Sequence, residues 1–168
     1  MSQLTSSLDT PLMVRDGRGR YRPADADQIL EAARQVIEQK MQRGEAFTSP
    51  AAVKEYLLAK LAGFEHEVFA VLFLDTKHRL IDYMEMFHGT IDAADVHPRE
   101  VVKQALRLNA AAVIVSHNHP SGVTEPSPAD KAVTSRLRQA LALVDIRTLD
   151  HVIVAGTVTM SFSERGLL

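Results

Sequence analysis

AAVIVSHNHPSGVTEPSPAD, residues 111–130, carries in succession an apolar run, two histidines one residue apart, a breaker segment and a helix start. The run AAVIVS at 111–116 reads as a short buried strand with the histidines at its end. In extended chain, residues two apart point the same way, so His117 and His119 can share one metal while Asn118 faces elsewhere. Pro120, Ser121 and Gly122 then break regular structure. Ser127 is a natural N-cap, Pro128 fits the first helical position, and Asp130 falls at the third, ahead of an apolar stripe of Val133, Leu137, Ala140, Leu141 and Val144. Taken alone, Ser127 and Asp130 read as a capping box, with the acidic residue favoured by the helix dipole. Beside two histidines, the same carboxylate can project toward the end of the strand. Two nitrogens from His117 and His119 and one oxygen from Asp130 would leave a fourth tetrahedral position for water, which distinguishes a catalytic zinc site from a structural one.

Outward from this stretch the pattern alternates between helix and strand periods. VFAVLFLD at 68–75 is a continuous apolar run expected of a strand buried on both faces. Asp75-Thr76-Lys77-His78 reads as its turn and 79–87 as an antiparallel partner. Ser49 and Pro50 open a helix with Val53, Tyr56, Leu57 and Leu61 as its stripe and Gly63 as its stop. Pro98 opens another, to about Leu108, burying Val101, Val102, Ala105 and Leu106, with Asn109 at its C-terminal end. Strands follow near 148–155 and 158–162, joined by a turn at Gly156-Thr157. Toward the N-terminus, Ile29, Leu30, Ala33, Val36, Ile37 and Met41 mark an amphipathic helix from about Asp25, closed by Gly44. The first 20 or so residues show no periodicity and read as an arm or a loosely packed extension. Arg15, Arg18, Arg20 and Arg22 cluster there beside Tyr21, either as a nucleic-acid-contacting arm or, more commonly for such runs, as a solvated tail.

Composition bounds the function. At 168 residues the chain is long enough for one domain with a proper core, and 46% hydrophobic with 24% charged residues is ordinary for a globular protein. Nineteen basic against 21 acidic residues, a net charge of −2, argue against a chain devoted to wrapping phosphate backbone. No cysteine is present, so disulfides, thiolate zinc sites and a cysteine nucleophile are excluded, and the expected compartment is a reducing cytoplasm. No stretch has the apolar length of a membrane span or the core of a signal peptide.

His117-x-His119-Pro120, followed by Ser127-x-x-Asp130, resembles the JAMM (MPN+) metalloprotease motif. GTI at 89–91, PREVVKQAL at 98–106, NAAAVIVSHNHPSG at 109–122 and LDHVIVAG at 149–156 narrow the resemblance to the bacterial RadC family, over roughly residues 50–168. The chain resembles a short form without the helix-hairpin-helix segment that often precedes this domain. The resemblance implies residues 1–48 as an N-terminal arm and amphipathic helix, and 49–168 as the metallohydrolase domain. It implies an α/β fold of the JAB/MPN type, a mixed sheet flanked by helices, similar to the cytidine-deaminase architecture. It further implies Zn²⁺ held by His117, His119 and Asp130, with Ser127 hydrogen-bonding the oxyanion of a tetrahedral intermediate. Its general base, a glutamate early in the first strand, is best matched by Glu67, with Glu65 and Glu85 as weaker candidates. Zinc-activated water would then attack an amide carbonyl.

Two other zinc chemistries are disfavoured. A zinc deaminase needs Pro-Cys-x-x-Cys, and a thermolysin-like His-Glu-x-x-His beginning at His66-Glu67 would need histidine where Ala70 stands. His151 in its apolar strand reads as a satisfied structural histidine, with a role at the site as the alternative. Ser116 and Asn118 could orient a ligand or satisfy backbone, and His78, His88 and His97 receive no role. Two functions remain. One is a zinc metallopeptidase or isopeptidase acting on an unidentified protein or peptide. The other is a nucleic-acid-associated DNA-repair or mobile-element accessory protein whose metal site is vestigial or differently used.

Overall fold

Strands β3 (Val68–Leu74) and β5 (Ala112–Asn118) are buried at every position and run side by side through the middle of the molecule. Their uninterrupted apolar character is what burial on both faces demands. The computed structural model describes residues 12–40, 47, 49–89 and 95–168, with the side chains of 37–40 excepted. Met41, Gly44, Thr90 and Ile91, used above to close the first helix and to mark a motif, lie outside the described residues.

The sheet has five strands in the order β4 (Leu80–His88), β3, β5, β6 (Arg147–Ala155) and β7 (Val158–Ser161). All neighbours are antiparallel except β5 and β6. A parallel pair cannot be joined by a tight turn, and the crossover is helix α4 (Pro128–Ala142). The result is a mixed α/β sheet flanked by helices, as the resemblance implies.

Side-chain alternation sorts the two faces. Ala70, Leu72 and Leu74 of β3, with Ile114, Val152 and Val154, pack on Val53, Tyr56, Leu57 and Leu61 of α2 (Pro50–Leu61). Phe69, Val71 and Phe73, with Val113 and Val115, pack on Val101 and Ala105 of α3 (Pro98–Arg107) and on Leu137 and Leu141 of α4. The helix ends follow local chemistry. Ser49 Oγ accepts from the Ala52 amide at 3.3 Å to cap α2. Asn109 takes a left-handed conformation, φ 52°, just past α3, where the short polar side chain is tolerated.

Part of the stretch read as an arm or a loosely packed extension is described, from residue 12 onward. Residues Met13–Arg15 (β1) and Tyr21–Pro23 (β2) form an antiparallel hairpin. Its turn is built by Asp16, whose Oδ1 accepts from the amides of Arg18 and Arg20, both at 2.9 Å, and by Gly19 at φ 81°. This is turn chemistry of the Asx type, which carries no hydrophobic periodicity. Helix α1 (Ala26–Lys40) follows, opened by reciprocal bonds between Asp25 and Gln28. It leans on the end of α2 through Arg34, whose guanidinium lies 5.2 Å from the Phe64 ring centre. No helix among the described residues is long and apolar enough to cross a membrane.

Leu137 is fully buried and anchors α4, the helix that presents Ser127 and Asp130, against the sheet. Leu137→Ala is expected to cost about 2–5 kcal/mol of unfolding free energy. Urea denaturation checks it: the midpoint falls while the slope stays constant.

Candidate metal centre

His117 is the next-to-last residue of β5 and His119 lies one residue beyond that strand's end. Asp130 reaches the same point from the first turn of α4. His117 Nε2 lies 2.9 Å from His119 Nε2 and 3.2 Å from Asp130 Oδ1, and His119 Nε2 lies 3.5 Å from Asp130 Oδ2. These three side chains could hold a metal ion, each offering one donor atom. Four donors at about 2.0–2.1 Å from a zinc ion stand about 3.3 Å apart along a tetrahedron edge, which the observed separations straddle. His119 Nδ1 faces the Val123 carbonyl at 2.5 Å. A carbonyl only accepts, so Nδ1 carries a proton, and in the neutral ring Nε2 is left as the ligating atom. Two imidazoles and one carboxylate gathered at these distances form a donor set that suits a divalent ion of the zinc type.

Burial pushes the Asp130 carboxyl up, but hydrogen bonds from His117, His119 and Ser127 and the charge of His117 outweigh it and hold it well below the usual carboxylate range. The carboxylate of Asp130 in turn raises His119, against the opposing effect of burial, with help from the Val123 carbonyl and the charge of Glu67. His151 is pushed well below its ordinary value by complete burial and then by the neighbouring His117.

The capping box read from the sequence is present. Ser127 Oγ accepts from the Asp130 amide at 3.1 Å, and Asp130 Oδ2 accepts from the Ser127 amide at 2.7 Å. Capping and the donor cluster therefore share Asp130, one oxygen toward the helix end and Oδ1 toward His117. A cleft of about 510 Å³ opens over these groups, lined also by Glu67, Phe69, Val123, Glu125 and Arg136. Glu67 is the candidate base that lines it. Glu65 does not line it, and Glu85 instead accepts from the Tyr83 hydroxyl at 3.3 Å on β4.

Three residues left ambiguous by the sequence acquire definite contacts. Asn118 points to the opposite face from His117, where its Oδ1 accepts from the Val68 amide at 2.7 Å and its Nδ2 donates to the carbonyls of His66 at 3.0 Å and Phe64 at 3.4 Å. It thereby ties the segment bearing Glu67 to the strand bearing His117. His151 Nε2 lies 2.7 Å from His117 Nδ1, and His151 Nδ1 lies 2.6 Å from Thr134 Oγ1. A histidine at the head of the apolar run of β6, the strand beside β5, was the available signal for His151. Ser116 Oγ donates to the Val152 carbonyl at 2.7 Å and has a backbone role. His66 and His88 face each other outside the cleft, 3.5 Å apart, and His97 precedes α3 without a side-chain cap bond.

A mixed sheet whose central strand brings two histidines to a carboxylate on the next helix is consistent with an α/β domain of the JAB class. Residues 47–167 match the RadC-like JAB domain, and the chain belongs to that family. It is 60% identical over 140 residues to a UPF0758 protein of Vibrio cholerae, covering 83% of this chain and 88% of that one. A UPF0758 protein of Methylibium petroleiphilum is 56% identical over 152 residues, 90% of this chain and 68% of its own. One from Marinobacter nauticus is 50% identical over 165 residues, 98% of this chain and 73% of its own.

Proton and metal compete for the same His119 Nε2, and the histidine's raised pKa favours the proton. Metal affinity is therefore expected to weaken as pH falls, with the decline beginning above 6.5, the ordinary histidine value. Zinc titration against a competing chelator from about pH 8 to about pH 5 checks the direction. An affinity flat across that range would contradict it.

Proposed function

We propose that this chain is a zinc-dependent metallopeptidase or isopeptidase, hydrolysing an amide bond in a protein or peptide. The observation that carries the reading is one cleft holding the His117, His119 and Asp130 donors together with Glu67 and Ser127. His117, His119 and Asp130 would hold the ion. When bound, zinc supplies a Lewis acid that lowers the pKa of water from about 15.7 toward about 7. Glu67 takes one proton of the attacking water and passes it to the amine nitrogen as the C–N bond breaks, and the second water proton follows from the new carboxyl group, so that water and amide become carboxylate and ammonium. Ser127 has a second use for its hydroxyl. The cap employs Oγ as an acceptor, and the hydroxyl proton, which the Asp130 carboxylate can accept at rest, can turn to the carbonyl oxygen as charge develops there.

These features support hydrolysis over the nucleic-acid reading. Two of the four clustered arginines already face carboxylates of their own segment, Arg20 at 3.4 Å from Asp16 and Arg22 at 3.8 Å from Asp25. Arg15 donates to the Gly19 carbonyl at 3.1 Å. Tyr21, 70% exposed, remains the feature of the hairpin best suited to stacking on a base.

The test is a peptide-library cleavage screen with zinc-loaded protein, using Glu67→Gln as control. Turnover is expected to fall about 10²- to 10⁴-fold while zinc stoichiometry is retained. Equal turnover by Glu67→Gln, or wild-type protein that binds no zinc and is indifferent to His117→Ala, would overturn the reading.

A further inference from the structure

We propose that Thr134 and His151 are positioning residues that hold His117 in the one neutral tautomer able to ligate a metal, an inference that rests on the reading of His117 as a ligand.

Protons point one way along the chain from His117 through His151 and Thr134 to the Asp130 carbonyl. Thr134 Oγ1 lies 2.5 Å from the backbone carbonyl oxygen of Asp130. Two oxygens this close need a proton between them, and a carbonyl has none, so the Thr134 hydroxyl donates there. Its single proton is then spent, and Oγ1 can only accept from His151 Nδ1 at 2.6 Å. With the proton on Nδ1, neutral His151 has a bare Nε2, which accepts from His117 Nδ1 at 2.7 Å. The proton of His117 is thus on Nδ1, and its Nε2 lone pair faces His119 and Asp130. Reversing the chain would leave Thr134 Oγ1 and the Asp130 carbonyl in proton-free contact. It would also put a proton on His117 Nε2, where the metal must bind.

The ring of His151 has little freedom to evade this order. It is fully buried, stacked on Phe162 at 4.6 Å between centroids and met edge-on by Phe69 at 5.7 Å. Phe69 also stacks on His117 at 6.1 Å. Thr134 lies one helical turn after Asp130 on α4, so the helix that contributes the carboxylate also sets the tautomer of a histidine on β5.

Thr134→Val removes the hydroxyl with little change of shape, and Thr134→Ser restores it. Histidine side-chain ¹⁵N–¹H correlation spectra of metal-free protein near about pH 8.5 report the tautomer of His117, and competition with a chromophoric chelator reports zinc affinity. Wild type is expected to show the proton on His117 Nδ1. Thr134→Val should move population to the Nε2–H form and weaken zinc about 10- to 100-fold, and Thr134→Ser should restore both. An unchanged His117 tautomer in Thr134→Val overturns the proposal whatever the zinc affinity does, and so does a tautomer shift without loss of affinity. Wild-type protein that binds no zinc would sink the hydrolase reading instead, while the tautomer signals would still decide whether the relay exists.

Discussion

The two-residue period of β5 is the constraint on which the site depends. His117 continues the face of Val113 and Val115, toward α3 and α4, whereas Asn118 continues that of Ile114, toward α2. A slip of one residue would exchange the two faces, placing an amide in the cleft and an imidazole against the segment that carries Glu67. The apolar residues of β5 prevent that slip, because both faces are buried and differ in shape. Ordinary core packing therefore aims the chemistry, with no strained backbone at the two histidines.

Asp130 meets two demands that usually fall to different residues. As the third residue of α4 it accepts the Ser127 amide, which a capping box requires. It also faces both histidines, and their proximity holds its carboxyl well below the usual range despite its burial. Neither demand interferes with the other, since a carboxylate has two oxygens with two lone pairs each. Sharing the residue ties the start of α4 rigidly to the end of β5. It also means that substituting Asp130 would disturb the helix and the donor cluster together.

Much of this arrangement was legible in the residues. The apolar runs at 68–75 and 111–116, the Ser-Pro openings at 49–50 and 127–128, and the spacing from His117 to Asp130 each reflect short-range rules of period, capping and direction. Their counterparts in the structure agree to within a residue or two. The hairpin at Met13–Pro23 was not legible, because an Asx turn between three-residue strands leaves no hydrophobic pattern. For His151 and Asn118 a role at the site stayed one of two readings. Their contacts span 34 and about 50 residues, and such pairing depends on strand order, which local periodicity does not encode.

The long reach of Asn118 bears on the order in which the protein is assembled. His117, His119 and Asp130 lie within one short stretch of chain, so a donor cluster can gather once β5 and α4 have formed. Glu67 joins it only after β3 has docked along β5 and the amide of Asn118 has caught the backbone at residues 64–68. Contacts of such sequence separation close late, because loop closure must precede their reward. Gathering of the donor cluster and arrival of Glu67 are thus separable in principle, since His117, His119 and Asp130 can meet before β3 has docked and Glu67 cannot.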